Sequence, residues 1–236
     1  MQEKRPKPQF ASIVASVLAI GSAALAVMLL ASLHVLSPEY SPAWRMISEY
    51  ANGHYPWVLS LMFIAYGLGI LSLAYAIRKQ TSTRASKAGL VLLAVSGLAA
   101  ASAAQFDLNQ VVLHELAGIL GILCLPIAAM LITPTLVKEQ PWSNVRMLLL
   151  WVANLTWISV VLWMASFVLM VATFLHVLGA LPTSVPKEVP PGAIALVGWT
   201  NRLLVLSAWA WVAAVAWVAI QAELPRTVSK FDPRPS

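Results

Sequence analysis

Six stretches of this chain run without a single Asp, Glu, Lys or Arg: residues 8–38, 50–77, 88–106, 116–137, 147–186 and 203–222. Crossing the hydrocarbon core of a bilayer takes about 20 apolar residues as helix, and each interval is about that long or longer. Inside lipid every backbone N–H and C=O must be satisfied within its own segment, so intervals of this kind are read as α-helices. The expected fold is an all-α integral membrane protein with six transmembrane helices in a compact bundle. The spans are expected near 10–33, 55–77, 87–106, 112–134, 146–175 and 194–222, within a single membrane domain covering 1–236. Composition agrees: 60% of the residues are hydrophobic and 10% charged, against roughly 25% charged in soluble domains. Lys4, Arg5 and Lys7 precede the first apolar run in the manner of a signal peptide. The run is longer than the roughly 7–15 residues of a signal's apolar core, and it reads as a retained helix.

Six spans place both termini on one side. Twelve of the 15 Lys and Arg fall on that side: in the N-terminal tail, the loops after spans two and four, and the C-terminal tail. Only Arg45, Lys187 and Arg202 fall on the other. The positive-inside rule therefore predicts cytoplasmic termini and a plasma-membrane location. The net charge of +6 is spread over short loops and tails, which favours anionic lipid surfaces and gives no reason to expect nucleic acid as a partner. One cysteine, Cys124, excludes an internal disulfide framework and a Cys-rich metal site.

The polar chemistry falls on the opposite, outward side. Glu39, Glu49, Asp107, Glu115 and Glu188 lie there, with His34, His54, His114 and His176. The loop 34–54 contains "SPEYSPAWRMISEYANGH", whose prolines predict an extended start and whose "AWRMISEYA" predicts a short helix with Arg45 and Glu49 at i, i+4. Two readings are open: an amphipathic helix lying at the headgroups, or a lid whose Ser48, Glu49 and His54 reach into the bundle. In the turn before span four, Asp107 is placed to cap that helix, with Gln110 three residues on. Asn201 and Arg202 are expected roughly 8 residues inside span six, about 12 Å deep at 1.5 Å per residue. A cation there either snorkels or needs a partner, and Glu49, Asp107 and Glu115 are the candidate carboxylates. Small residues at helical spacing in spans one, three and four (Ala11, Ala15, Ala19 and Ala23; Gly89, Gly97 and Ala100; Ala117, Gly118 and Gly121) predict close packing with those helices near the middle. Spans five and six carry Trp151, Trp157, Trp163, Trp199, Trp209, Trp211 and Trp217, several of which fit interface anchors or lipid-facing residues.

The segment "LHVLSPEYSPAWRMISEYANGHYPWVLSLMFIAYGLG", with "FD" at 106–107 and the His114–Gly118 spacing, resembles the domain-of-unknown-function 998 family of bacterial six-helix membrane proteins. The resemblance implies the six-helix fold, a bacterial inner-membrane setting and outer-side positions of interest at Ser48, Glu49, Tyr50, Asp107 and His114. It implies no agreed activity. The functional expectation is an uncharacterised, non-enzymatic protein with an outward-facing polar site that binds or senses a membrane lipid or small amphiphile. Arg45, Ser48, Glu49, Tyr50, His54, Asp107, His114, Glu115 and Arg202 are the candidate ligand-binding residues. No motif calls for a cofactor and no catalytic residue is assigned. Two alternatives stand beside this. One is a metal-assisted hydrolase, which would draw on His54, His114, His176 and Asp107 as ligands. The other is a small proton-coupled transporter, for which the inner halves of the spans offer only Ser, Thr and Asn154.

Overall fold

A computed structural model describes residues 10–105, 110–180, 186 and 188–224. Asp107, Lys187 and both basic tails, on which parts of the sequence reading rest, lie outside the described residues. Six helices follow one another: α1 (Phe10–Leu36), α2 (Pro56–Ile77), α3 (Arg84–Ala103), α4 (Val111–Leu136), α5 (Arg146–Leu178) and α6 (Val197–Glu223). Each is long and apolar enough to cross a membrane, which makes this a multi-pass membrane protein. Local chemistry sets several ends. Pro56 opens α2, where its missing N–H costs no hydrogen bond. The Thr83 hydroxyl caps α3 by accepting from Ser86 N–H at 3.1 Å. Gly179, at φ +76°, ends α5 in the left-handed conformation. Gln110 sits at the N-cap position of α4 itself, so it is not the third residue of a helix capped by Asp107.

The helices form a closed ring in chain order, with α6 returning against α1 and also touching α2. The start of α1 and the end of α6 lie at one pole. The other, where α1, α3 and α5 end and α2, α4 and α6 begin, is called the distal end below.

The centre of the bundle differs from expectation. The most buried spans are α6 (56% of its apolar window) and α2 (50%), ahead of α4 (44%), α3 (39%) and α1 (33%). Small residues explain the shift. Gly67 of α2 lies so close to α3 that an added Cβ would stand 2.5 Å from the Gly97 carbonyl oxygen, and at Gly69 it would meet Ser22 of α1 at 3.1 Å. The small positions of α1 and α3 thus serve to admit α2 between them. Trp209 and Trp211 are buried rather than lipid-facing, and the Trp211 indole N–H donates to Thr133 Oγ1 of α4 at 3.0 Å. Trp151, Trp157, Trp199 and Trp217 remain exposed on the surface. Serine and threonine pairs join α5 to α6: Ser159 to Ser207 at 2.9 Å and Ser166 to Thr200 at 2.6 Å.

Candidate functional site at the distal end

The loop between α1 and α2 lies folded down onto the end of the bundle. Trp44, Ile47 and Tyr50 are buried, and a 3-10 helix covers Ile47–Asn52 where the sequence pattern suggested a longer helix over "AWRMISEYA". What holds the loop down is α6. The first N–H groups of a helix have no partner inside it, and here Gly198 N–H and Trp199 N–H both donate to the Ala43 carbonyl, at 3.1 and 3.3 Å. One turn further, Asn201 Oδ1 accepts Ile47 N–H at 3.0 Å. Gly198 makes this approach possible, because a Cβ there would stand 2.4 Å from the Pro42 carbonyl oxygen.

Beneath the loop, Arg202 is 4% exposed. It starts five residues into α6, about 8 Å below the helix end at 1.5 Å per residue, which is shallower than expected. Its partners also differ from the expected carboxylates. Nε donates to His34 Nε2 at 2.8 Å, one terminal nitrogen donates to the Arg45 and Gly198 carbonyls at 2.7 and 3.0 Å, and the other donates to Tyr50 Oη at 3.2 Å. His34 Nδ1 in turn lies 2.7 Å from the Leu30 carbonyl. That fixes the ring as the tautomer with Nδ1–H donating and Nε2 accepting. Three elements (α1, the loop and α6) are therefore joined through one guanidinium. His34 had no sequence signal beyond being a histidine at the outer end of a span.

Arg45 and Glu49 form the expected i, i+4 ion pair, 2.7 Å apart, with both side chains mostly covered. The Arg45 guanidinium also sits over the Trp44 ring, 4.5 Å from its centroid. Glu49 Oε1 accepts Met46 N–H at 2.8 Å. Burial holds the Glu49 carboxyl above the usual carboxylate range, and the Met46 hydrogen bond and Arg45 oppose that only in part. A carboxyl raised in the folded state binds its proton more tightly folded than unfolded. Its contribution to stability is thus present at acid pH and lost as pH rises through the folded value. Glu49→Gln removes that dependence. Its stability relative to the parent is expected to be more favourable at pH 7 than at pH 4, changing by at most about 1.4 kcal/mol per pH unit between. Thermal unfolding of both proteins at the two pH values checks this.

Next to this clamp lies a cavity of about 560 Å³, roofed by Met46, Ile47 and Ser48 and walled by α2 to α6. Its lining is apolar and aromatic, including Phe63, Tyr66, Trp163 and Phe167, with Ser48, His114, Glu115, Thr156 and Asn201 as polar residues. The sequence-predicted residues therefore divide. Ser48, His114 and Glu115 line the cavity. Arg45, Glu49, Tyr50 and Arg202 belong to the clamp beside it, and none of them lines it. His54 stands away from both, 82% exposed at its side chain and 3.4 Å from Glu39. His176 is exposed near the end of α5. Among the described residues no three His, Cys, Asp or Glu side chains gather closely enough to hold a metal ion.

The profile of the family described as "Protein of unknown function (DUF998)" matches residues 17–218, which span all six helices. The chain belongs to this family. No curated protein and no solved structure matches it. Within this DUF998 protein, the matched region contains both the clamp and the cavity.

Proposed function

We propose that this DUF998 protein is a non-enzymatic membrane protein that binds a lipid or small amphiphile at its distal end and senses it through the α1–α2 loop. The observation that carries this reading is the cavity: about 560 Å³, within the range of roughly 300–1,000 Å³ usual for small-molecule sites, with apolar walls and few polar groups. Its roof is the polar loop, so an occupant touches Met46, Ile47 and Ser48 directly. The arginines hold the roof in place, and the ligand contacts pass to Ser48, His114, Glu115 and Asn201. The charge distribution supports an outward-facing site in a bacterial inner membrane. The metal-assisted hydrolase and the proton-coupled transporter draw less support, since neither His54 nor His176 lines the cavity with His114 and the cavity is mostly apolar.

Gly118 supplies the test. It lines the cavity, and a Cβ added there meets nothing within 4 Å. Gly118→Leu fills the cavity with side chain without a clash at its base. Stability is expected to hold or to rise by about 1 kcal/mol, as a mid-helix glycine is replaced by a good helix former. Amphiphile bound per chain after purification in mild detergent, measured by mass spectrometry, is expected to fall at least tenfold. Equal retention in the variant and its parent would remove the reading.

A further inference from the structure

The polar hydrogens that line the cavity say what kind of head group it takes. Asn201 is 8% exposed, and its Oδ1 is committed to Ile47 N–H. A backbone N–H can pair only with the amide oxygen, so the orientation of the amide is settled and its NH2 group is left as a donor. Among the described residues that NH2 has no acceptor. The Trp163 indole nitrogen is buried and also without an acceptor. The Ser159–Ser207 and Ser166–Thr200 bonds define one antiparallel register of α5 against α6. In that register Trp163 is level with Leu203, two residues from Asn201 and about 3 Å along the axis. The Tyr66 hydroxyl is a third donor with no hydrogen bond among the described residues. Buried polar hydrogens are nearly always paired, and leaving one unpaired is costly. Of the three, the Trp163 N–H is fully buried without a partner, and with the Asn201 and Tyr66 donors in the same lining it calls for an acceptor there.

Among the described residues the same lining carries no lysine or arginine and includes the Glu115 carboxylate. An anionic head would meet the Glu115 carboxylate there and, among the described residues, no lysine or arginine, with His114 beside it. The walls show the route of entry. Ile119 and Leu123 of α4 and Met164 and Phe167 of α5 line the cavity while being 41–55% exposed. These four lie on the apolar flank of the bundle, within the spans of α4 and α5, so the cavity opens sideways towards the hydrocarbon layer between those helices.

We infer that the occupant is an uncharged single-chain lipid with a carbonyl oxygen, such as a monoacyl ester, which enters between α4 and α5 and accepts hydrogen bonds from Trp163 and Asn201. This rests on the proposed amphiphile site and names its ligand class. A cavity of about 560 Å³ is the size of sites for drug-sized molecules and suits one chain rather than two.

The experiment titrates the purified full chain in mixed micelles with 1-monooleoylglycerol, oleate at pH 8 and octadecene, reading affinity from the shift in thermal unfolding. Monooleoylglycerol is expected to bind about tenfold more tightly than either of the others, the worth of one to two net hydrogen bonds. Trp163→Phe keeps an aromatic ring and removes the N–H. It is expected to weaken the ester about fivefold and to leave octadecene unchanged. If oleate or octadecene binds as well as the ester, or if Trp163→Phe leaves the ester's affinity unaltered, the inference is overturned. Should Trp163→Phe fail to fold, the three probes on the parent protein decide alone. Gly118→Leu separates the two levels. If it abolishes binding of probes that the parent binds alike, the amphiphile site stands and only the carbonyl assignment falls. If it alters the binding of none of them, the site itself falls.

Discussion

Arg202→Ala is expected to lower the stability of the protein by about 3 kcal/mol and to free the α1–α2 loop. The parent guanidinium has five N–H donors, and four contacts leave it for His34, two backbone carbonyls and Tyr50. Its charge is balanced by oriented dipoles and by Glu49 at longer range, and among the described residues no carboxylate touches it. Truncation leaves a cavity the size of a long side chain and strips partners from buried groups on three elements. Losses of this kind sit at the upper end of single-residue effects. Arg202→Lys is expected to recover little, because an ammonium has three donors in a different geometry and cannot span the same four acceptors. Two measurements check this. Thermal unfolding should drop by on the order of 10 °C. Trypsin should cut after Arg45, which in the parent is mostly covered and paired with Glu49. A variant that kept the parental melting temperature and resistance while losing only amphiphile binding would show Arg202 to be a ligand contact instead of a clamp.

That clamp illustrates what was legible in the residues and what was not. The depth of Arg202 in an apolar helix announced that it needed partners, and that part follows from the cost of burying a charge. The identity of those partners was hidden for a physical reason. Backbone carbonyls such as those of Arg45 and Gly198 accept hydrogen bonds whatever side chain they carry, so they leave no trace in a sequence. His34 is 168 positions away from Arg202, and only the ring closure of α6 against α1 brings them together. Counting carboxylates favoured Glu49, Asp107 and Glu115, yet Glu115 turned out to line the cavity instead. The six helices were readable because hydropathy is local, summed over about twenty residues of one segment. Their order of burial was not, since it depends on which small residues face which neighbour. Gly67 and Gly97 meet across α2 and α3, while Gly118 has the same chemistry and faces open space. A cavity is hardest of all to foresee, because it is made by the absence of side chains from six places at once. Trp163 is the nearest thing to a trace: a tryptophan in mid-span has an N–H to satisfy, and this one has no partner among the described residues.

Gly198→Ala, a change of one methyl group, is expected to disrupt the distal end more than most larger substitutions elsewhere. The added Cβ would stand 2.4 Å from the Pro42 carbonyl oxygen, 2.7 Å from Trp44 N and 2.8 Å from the Ala43 carbonyl carbon. All three obstacles are backbone, so no side-chain rotation relieves them, and the loop must lift away from α6. Lifting it breaks the Gly198 and Trp199 bonds to Ala43 and strains the Asn201 bond to Ile47. It also moves the Arg45 carbonyl off Arg202. The cost is expected to be about 2–4 kcal/mol, in the range of overpacking combined with lost buried hydrogen bonds. The site consequence is more specific than the loss of stability. Met46, Ile47 and Ser48 form the roof of the cavity, so a lifted loop opens the cavity at its polar end while its apolar walls on α2 to α6 stay in place. Amphiphile affinity should fall in Gly198→Ala, and the exchange of amide hydrogens over 41–52 should rise, while the α5–α6 core around Ser159 and Ser207 keeps its protection. Gly118→Leu should show the opposite pattern, with binding lost and loop protection kept. Were Gly198→Ala to leave exchange over 41–52 unchanged, loop and helix would not be held together by this contact, and sensing through the roof would lose its mechanism.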